Sequence, residues 1–321
     1  MSETRRRVLK ALSRGEFVTG AAIGRSLDIS RTAVWKHLNQ LEEWGVPIVK
    51  NRQGYRLHED VELLSKPGIL AAMAPHSRRM LKELLIVDRV DSTNTLVRNR
   101  LAETAGSGFV CLAEQQTQGR GRLGRSWVSP FGRNIYLSVG WEYEGGAAVL
   151  EGLSLAVGVA ICDAIKGLGV VDVALKWPND ILLEGRKTGG VLLEMTGDPV
   201  GRCQVIVGIG INFAMPPDAE IDQPWADLSG AAGMTRNLLT GAVLSELMPL
   251  LRDFQSRGFR HYREAWERFN AHRGQRVRLT VGREVVEGIL CGVSDNGAVV
   301  LQTEGRQRAY SGGEISLRGL E

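Results

Sequence analysis

The sequence predicts an α+β protein in three parts: a small helical module, a central domain with a mixed sheet, and a small C-terminal antiparallel barrel. Apolar residues near the N-terminus recur at helical spacing, short β-like runs then follow one another in hairpin order, and the last fifty or so residues alternate between strands and turns. A chain of 321 residues is long enough for two or three domains. We expect the helical module at 1–60, a linker at 61–79, the central domain at 80–272 and the barrel at 273–321.

The overall composition indicates an ordinary soluble protein. Hydrophobic residues make up 43% and charged residues 24% of the chain. The four cysteines, Cys111, Cys162, Cys203 and Cys291, lie far apart without a CxxC pair, so neither a zinc site nor a disulfide framework is predicted. We find no apolar run of about eighteen residues and no signal-peptide core, which predicts a cytoplasmic location.

Basic charge is concentrated at the N-terminus. Residues 1–58 hold eleven Lys or Arg against five Asp or Glu, whereas the formal charge of the whole chain is only +4. The remainder of the chain is therefore slightly acidic. A basic module joined to a near-neutral body is typical of a nucleic-acid-binding domain fused to another function.

The basic module has the pattern of a helix-turn-helix. Helical segments are predicted at 20–27 and after the short polar turn 28–30, whose final serine suits a helix N-cap. Val34, Leu38 and Leu41 form one apolar stripe on the second helix, leaving its opposite face basic and polar. Two helices joined by so short a turn predict that the second enters the major groove of DNA.

A β-like hairpin over 49–57 would complete a winged helix-turn-helix. We expect base contacts from the start of the second helix and phosphate contacts from the helix and the wing. The candidate DNA-binding residues are Ser30, Arg31, Thr32, Trp35, Lys36, Lys50 and Arg52. A module used only for protein interaction or dimerisation is the alternative, and the basic charge favours DNA.

The central domain is predicted to contain several strands and few helices. Strands are expected at 84–90, 108–114, 134–141, 173–176, 180–183, 189–195 and 204–211, and helices at 93–101, 149–168 and 237–270. Strands grouped in hairpin order indicate a mixed or antiparallel sheet rather than repeated βαβ units. A Rossmann fold is therefore disfavoured.

Residues 119–125, Gly-Arg-Gly-Arg-Leu-Gly-Arg, form the most distinctive segment of this domain. Glycine lets the backbone come close to a ligand, and arginine can grip phosphate or carboxylate oxygens at two points. Taken alone, the segment could equally be a flexible nucleic-acid-binding loop. The motifs that flank this segment in the sequence distinguish an anion-gripping loop from a nucleic-acid-binding one.

Four further motifs lie near predicted strand ends, where loops collect functional residues. They are Asp-Ser-Thr-Asn-Thr at 91–95, Lys-Trp-Pro-Asn-Asp at 176–180, Lys-Thr-Gly-Gly-Val-Leu-Leu-Glu at 187–194 and Gly-Ile-Gly-Ile-Asn at 208–212. Each has a plainer interpretation, as a helix cap, a turn or an exposed hairpin lysine. Together and in this order they resemble the biotin protein ligase family over almost all of residues 80–320.

With the helical module in front, the chain resembles the bifunctional members that are both biotin ligase and biotin operon repressor. Leu123 occupies a position that the family leaves variable, and Gln118 replaces an expected small residue. The resemblance implies ATP-dependent formation of biotinyl-5′-AMP, transfer of biotin to a lysine of a biotin carboxyl carrier protein, and repression of biotin-synthesis genes by a DNA-bound dimer. It also implies an SH3-like C-terminal barrel.

The same resemblance assigns site residues. Catalytic cations would be Lys187, Arg120 and Arg122. Biotin would contact Ser92, Thr93, Asn94, Gln116, Arg120, Gly121, Arg122, Lys187 and Gly190. ATP and the adenylate would contact Arg120, Arg122, Arg125, Lys176, Asn179, Asp180, Lys187, Asn212 and Trp225, with Mg²⁺ near Asp180. A core role for Trp225 is the alternative to stacking on adenine.

These assignments satisfy elementary chemical requirements. The neutral ureido ring of biotin needs uncharged polar partners, whereas bringing its carboxylate to a phosphate needs fixed positive charge. A mixed anhydride must also be kept from water, so we expect residues 117–127 to be mobile without ligand and to close over it. A ligase without operator binding and a lipoate ligase remain alternative functions.

Overall fold

The three predicted parts are present in a computed structural model of the chain. The structure describes residues 3–58, 61–104, 106–282, 284–311 and 315–319. The extreme ends of the predicted first and last domains, and residues 59–60 at the predicted linker boundary, lie outside the described residues.

The N-terminal module is a winged helix-turn-helix with its own apolar core. Its elements are the helices α1 (Glu3–Leu12), α2 (Gly20–Leu27) and α3 (Arg31–Glu43), followed by the strands β1 (Ile48–Asn51) and β2 (Gly54–Leu57). Asp28 adopts a left-handed conformation at φ 55°, which turns the chain between α2 and α3. Ser30 Oγ then accepts a hydrogen bond from the Ala33 backbone N–H at 3.1 Å, which caps α3.

The segment that follows packs on the central domain. Two short helices, α4 (Lys66–Ala72) and α5 (Pro75–Arg78), lie against a long helix, α8 (Arg236–Arg257). The Ser65 backbone N–H donates to Asn237 Oδ1 at 2.7 Å, anchoring the start of α4 to that helix.

The central domain is a seven-stranded mixed sheet with helices, as predicted. Its strands are β3 (Glu83–Val90), β4 (Phe109–Gln116), β5 (Ile135–Tyr143), β6 (Val173–Lys176), β7 (Asp180–Leu183), β8 (Arg186–Gly197) and β9 (Cys203–Ile211). Their spatial order is β3-β4-β5-β9-β8-β7-β6, and among these strands β3 and β4 run parallel while the other neighbours are antiparallel. Three further helices complete the domain, α6 (Thr93–Glu103), α7 (Leu153–Gly167) and α9 (Arg263–Phe269).

Two predicted helices are shorter than expected because glycines interrupt them. The helix predicted over 149–168 begins only at Leu153, after Gly152 has taken the left-handed conformation at φ 72°. The one predicted over 237–270 divides at Gly258, φ 60°, into α8 and α9. Apolar periodicity continues through both interruptions, so the pattern could not show where the backbone turns.

The expectation of no long apolar run was wrong. Within the described residues, one helical segment, Gly146–Gly167, is long and apolar enough by length and composition to cross a membrane. In the fold, 61% of that apolar window is buried, because α7 packs beneath the sheet and against α8. Its apolar character therefore serves the core of the central domain.

Within its described residues, the C-terminal domain is a small antiparallel sheet of five strands. They are β10 (Arg276–Val281), β11 (Glu284–Val293), β12 (Val299–Thr303), β13 (Arg306–Tyr310) and β14 (Ile315–Gly319), in the order β13-β12-β11-β10-β14. The sequence predicted strands at 276–281, 284–292, 298–302 and 307–310, which are the first four, but not β14, which pairs antiparallel with β10. Trp177 Nε1 donates to the Gly297 carbonyl at 3.0 Å, so this domain supports the Lys-Trp-Pro-Asn-Asp loop.

Candidate functional site

A cavity of about 680 Å³ opens over β5, β8 and β9 beneath the glycine-arginine loop. Its size is that of a small-molecule site. Most of the residues predicted from the motifs line it, namely Ser92, Thr93, Asn94, Gln116, Arg120, Gly121, Arg122, Arg125, Lys176, Asn179, Asp180, Lys187 and Gly190. Motifs spread over a hundred positions of the chain thus meet in one place.

Glycines form the floor of this cavity, because the side chains of Trp127 and Asn94 lie directly against the sheet there and leave no room for a Cβ. A Cβ at Gly210 would come within 2.5 Å of the Trp127 ring, and one at Gly208 within 2.4 Å of Asn94 Oδ1. The Gly-Ile-Gly-Ile-Asn motif therefore supplies space on β9 for an indole and an amide. Neither Trp127 nor these two glycines was among the predicted site residues.

One end of the cavity is polar and uncharged. The backbone N–H and Oγ1 of Thr93 lie 2.9 and 3.1 Å from Gln116 Oε1. Ser138 Oγ lies 2.7 Å from Thr93 Oγ1 and 2.6 Å from Asn94 Oδ1. Ser92 occupies the N-cap position of α6, yet its side chain makes no capping hydrogen bond to any described residue, so the plain helix-cap interpretation is insufficient.

The other end is charged and centres on Asp180. Its Oδ2 lies 2.9 Å from Lys176 Nζ and its Oδ1 2.6 Å from Lys187 Nζ. The first pair follows from the register of β6 and β7, and a register shift between β7 and β8 brings Lys187 to the same carboxylate. Burial acts to raise the pKa of Asp180, but attraction to Lys187 and Lys176 outweighs it and holds the pKa below its ordinary value.

The loop arginines point to different ends of the cavity. Arg120 Nη1 donates to Thr95 Oγ1 at 3.2 Å, and its Nη2 lies 3.2 Å from Glu194 Oε1, beside the uncharged end. Arg122 Nη1 donates to Asn179 Oδ1 at 3.4 Å, at the charged end. Burial lowers the pKa of Arg122, and the nearby Asp180 carboxylate opposes that shift. Of the two, Arg122 therefore lies on the side of the lysines.

Asn212 and Trp225 are not among the described residues that line the cavity. Asn212 is buried, and its Nδ2 donates to the Ala226 carbonyl at 3.2 Å. Lys187 exchanges backbone hydrogen bonds with the same segment, its N–H donating to the Pro224 carbonyl at 3.2 Å. Trp225 is half-buried and is not among the described residues that line the cavity, although 222–224 are.

Sequence reasoning missed three side chains that organise the site: Trp127, Ser138 and Glu194. The Lys187 ammonium lies 5.6 Å from the centre of the Trp127 ring. Glu194 belongs to the 187–194 motif but received no role, and its Oε2 accepts from Asn94 Nδ2 at 3.1 Å. Ser138 lies in an apolar strand, where one small hydroxyl gives no signal of a site.

The described residues do not favour direct coordination of Mg²⁺ by Asp180. Both of its carboxylate oxygens receive lysine ammonium groups, which would repel a divalent cation. Nor do the described residues contain a group of three or more His, Cys, Asp or Glu side chains that could hold a metal ion. Asp180 is therefore suited to positioning the two lysines.

The predicted DNA-binding residues are all exposed on the winged module. Arg31, Thr32, Trp35 and Lys36 are exposed on the first turns of α3, and 59% of Trp35 is accessible despite its size. Ser30 is exposed too, although its hydroxyl caps the helix. On the wing, Arg52 is exposed and Lys50 Nζ lies 2.6 Å from Glu42 Oε2.

Each part of the chain also matches a known family. Residues 4–56 match a helix-turn-helix domain, 86–212 the biotin/lipoate A/B protein ligase family, and 272–318 the biotin protein ligase C-terminal domain. The fold and the site thus define a biotin/lipoate ligase-type protein with a DNA-binding module.

Comparison with whole proteins narrows this class. The chain is 37% identical to the bifunctional ligase/repressor BirA of Escherichia coli, over 98% of this chain and 97% of that protein, and 31% identical to the Bacillus subtilis protein, over 92% and 93%. Among solved structures, the Aquifex aeolicus biotin protein ligase in complex with biotin and ATP matches with a TM-score of 0.64 and 31% identity, covering 75% of this chain and all of that one. The chain belongs to the family of bifunctional biotin ligase/repressors.

Proposed function

We propose that the protein activates biotin with ATP, transfers it to a lysine of a biotin carboxyl carrier protein, and represses biotin-synthesis genes. The observation that carries the ligase activity is a single cavity with an uncharged hydrogen-bonding end and a cationic end. Biotin is itself divided in this way, into a neutral ureido ring and a carboxylate. The cavity therefore suits a ligand that extends from one end to the other.

Biotin would place its ureido ring at the uncharged end. Ser92, Thr93, Asn94 and Gln116 are its partners there, and Gly121 and Gly190 let the backbone come close. The Trp127 ring, which lies over Gly190 and Gly210, would cover the apolar part of the ligand. The carboxylate would then extend towards Lys187.

ATP would occupy the cationic end. Lys187, Lys176 and Arg122 carry the positive charge that offsets repulsion between the biotin carboxylate and the α-phosphate. Asn179 and Asp180 hold these groups in place, Arg125 adds charge from the loop, and Asn212 fixes the 224–226 segment beside Lys187. Trp225 remains our candidate to stack on adenine after a rearrangement of that segment.

The chemistry would proceed in two steps, an adenylyl transfer to biotin followed by an acyl transfer to the acceptor lysine. A carboxylate oxygen of biotin attacks the α-phosphorus of ATP, a new P–O bond forms, and pyrophosphate leaves with the electrons of the broken P–O bond. The neutral amine of the acceptor lysine next attacks the acyl carbon, the acyl C–O bond breaks with its electrons on AMP, and the nitrogen gives up one proton to solvent as the amide forms. Arg120 and the rest of the 117–127 loop would exclude water between these steps by closing.

Mg²⁺ would accompany ATP through the phosphate oxygens, because both oxygens of Asp180 already bind lysines. We also propose a cytoplasmic location, where ATP and a carrier protein are available. We further propose that the domain boundaries lie after residues 60, 79 and 272.

A competition assay tests the substrate against the lipoate alternative. A site built to hydrogen-bond a ureido group should reject lipoate by about 10⁴-fold or more in kcat/KM, because its buried polar groups would lose their partners. We expect pyrophosphate release with biotin and little with lipoate at equal concentration. Comparable rates with both acids would contradict specificity for biotin and would support the lipoate alternative.

Repression would use α3 and the wing in a dimer that forms when the adenylate is bound. The supporting observation is the exposed basic surface at the start of α3. Footprinting on the promoters of biotin-synthesis genes, with and without biotinyl-5′-AMP, tests it. Protection that requires the adenylate is expected, whereas no protection under either condition would leave a ligase without operator binding.

A further inference from the structure

Glu194 on β8 connects the uncharged end of the cavity to two arginines. Its Oε2 lies 3.1 Å from Asn94 Nδ2 and 2.7 Å from Arg98 Nη2, and its Oε1 lies 3.2 Å from Arg120 Nη2. Asn94, Arg98 and Arg120 all donate hydrogen bonds to the Glu194 carboxylate through these atoms. A carboxylate suits this position because it offers two oxygens that only accept when ionised.

The carboxylate determines how the Asn94 amide is oriented. An acceptor at Glu194 requires the NH₂ group of Asn94 to face it, so Asn94 Oδ1 must face Ser138. Gly208 makes this arrangement possible, because any Cβ at that position would collide with the same amide. The amide is thus fixed from two sides.

The orientation of Asn94 in turn determines the direction of two hydroxyl groups. Ser138 has one hydroxyl proton, and the acceptor Asn94 Oδ1 at 2.6 Å takes it. The 2.7 Å contact between Ser138 and Thr93 must then use the proton of Thr93. The Thr93 hydroxyl then does not donate to Gln116 Oε1, 3.1 Å away, and both lone pairs of Thr93 Oγ1 are left to accept hydrogen bonds at the cavity.

Reversal of this chain would change what the cavity recognises. If Asn94 turned its NH₂ group to Ser138, Ser138 would donate to Thr93, and the Thr93 hydroxyl would donate to Gln116 Oε1. Thr93 Oγ1 would then have one lone pair fewer for the N–H groups of a ureido ring, and Gln116 Oε1 would already accept two hydrogen bonds. One flipped amide therefore removes acceptors from the uncharged end of the cavity.

We infer that Glu194 is a positioning residue that sets the hydrogen-bond direction of the Asn94–Ser138–Thr93 chain and so the recognition of the ureido N–H groups. The inference rests on the proposed biotin ligase function and adds a specificity determinant to it. Glu194 acts through Asn94 and is not itself a partner of the ligand. Arg98, on α6, balances its charge whether or not the loop keeps Arg120 in place.

Glu194→Gln tests the inference with almost no change of shape. The glutamine oxygen cannot accept from Asn94 and from both arginines, so the NH₂ group meets one of these donors, and a neutral amide oxygen holds the Asn94 orientation more weakly than a carboxylate does. We expect the KM for biotin in the pyrophosphate-exchange reaction to rise about 10- to 100-fold, as for a lost charge-assisted hydrogen bond. The KM for ATP and kcat at saturating biotin should stay within about twofold, since the cationic end is untouched.

Glu142→Gln is the matched control. Glu142 lies on β5 of the same sheet and likewise accepts from an amide, Gln204 Nε2 at 3.0 Å, and approaches an arginine, Arg202, at 3.8 Å. It lies outside the cavity lining as described. Its replacement should leave both KM values as in the unaltered protein.

Ser138→Ala provides a second, independent variant. It interrupts the chain between Asn94 and Thr93, so the KM for biotin should rise by a similar factor, and Glu194→Gln should add little in its background. Equal rises in both KM values with lowered thermal stability, or effects of the two variants that simply multiply, would show that Glu194 only supports the fold. An unchanged KM for biotin in Ser138→Ala would overturn the inference even if Glu194→Gln fails to fold.

These outcomes are distinct from failure of the proposed function. Absence of biotin-dependent pyrophosphate exchange in the unaltered full-length protein would refute the ligase proposal. Normal exchange in that protein together with an unaltered KM for biotin in Glu194→Gln would refute the positioning role alone.

Discussion

At the residue scale, Lys187 is the cation on which the proposed chemistry depends most. It bonds Asp180 at 2.6 Å and lies over Trp127 inside the cavity. Lys187→Ala removes a preorganised charge, so single-turnover adenylate formation should slow by about 10²- to 10³-fold. Arg186→Ala is a suitable control, because Arg186 precedes Lys187 on β8 but points to an exposed ion pair with Glu184. Adenylation near the unaltered rate in Lys187→Ala would contradict the assignment.

Asp180 gives a prediction about pH at the same scale. Its pKa in the folded protein is lowered, so its ionised form stabilises the fold above the ordinary value of 3.8, and this contribution disappears once the pH has fallen through the lower folded value. Asp180→Asn should reduce the free energy of unfolding at neutral pH by on the order of 3 kcal/mol, because two lysines lose their buried partner. In urea titrations the difference between the two proteins should shrink in acid. A difference that is constant or grows as the pH falls would contradict this linkage.

At the scale of elements, the β9 glycines let Trp127 lie against the sheet. Gly210→Ala would place a methyl group 2.5 Å from the indole, which must leave its position. We expect a raised KM for biotin and a changed tryptophan fluorescence. Gly230→Ala serves as the control, because a Cβ there meets no described atom within 4 Å. Normal biotin kinetics in Gly210→Ala would show that the Trp127 position is not needed.

Helix α3 gives a second prediction for an element. Arg31→Ala should weaken operator binding by about 1–3 kcal/mol and relax sequence preference, whereas Arg52→Ala on the wing should weaken binding to all sequences and reduce the salt slope by about one. Arg260→Ala, an exposed basic residue of the central domain, is the control. Fluorescence anisotropy at several salt concentrations distinguishes these outcomes. Equal effects of all three variants would indicate nonspecific attraction.

At the scale of the whole molecule, strand β4 reaches both the cavity and the winged module. Gln115 Nε2 donates to the Trp44 carbonyl at 3.0 Å, while the next residue, Gln116, accepts from the Thr93 backbone N–H at the uncharged end of the cavity. Phe131, which follows the glycine-arginine loop, is buried in the core of the winged module. Sedimentation with and without biotinyl-5′-AMP tests the proposed coupling to assembly, and the adenylate should shift the protein towards a dimer. A monomer under both conditions at micromolar concentration would contradict the dimer.

Prediction from sequence succeeded where local pattern decides structure. The polar turn at 28–30 and its capping serine correctly predicted the helices α2 and α3, and β-like runs located all seven central strands. It failed at Gly152 and Gly258, where apolar periodicity continues across a break. Helix length therefore depended on backbone conformation, which periodicity does not report.

The sequence by itself determined the three-part organisation, the basic module and most residues of the candidate site, because motifs and charge are local properties of the chain. Only the tertiary structure showed that Asp180 joins Lys176 to Lys187, that Arg120 and Arg122 lie at opposite ends of one cavity, and that Glu194 and Ser138 both contact the Asn94 amide. Hydrogen-bond direction and ion pairing depend on which strands lie side by side, and that is decided by how the sheet packs rather than by spacing along the chain.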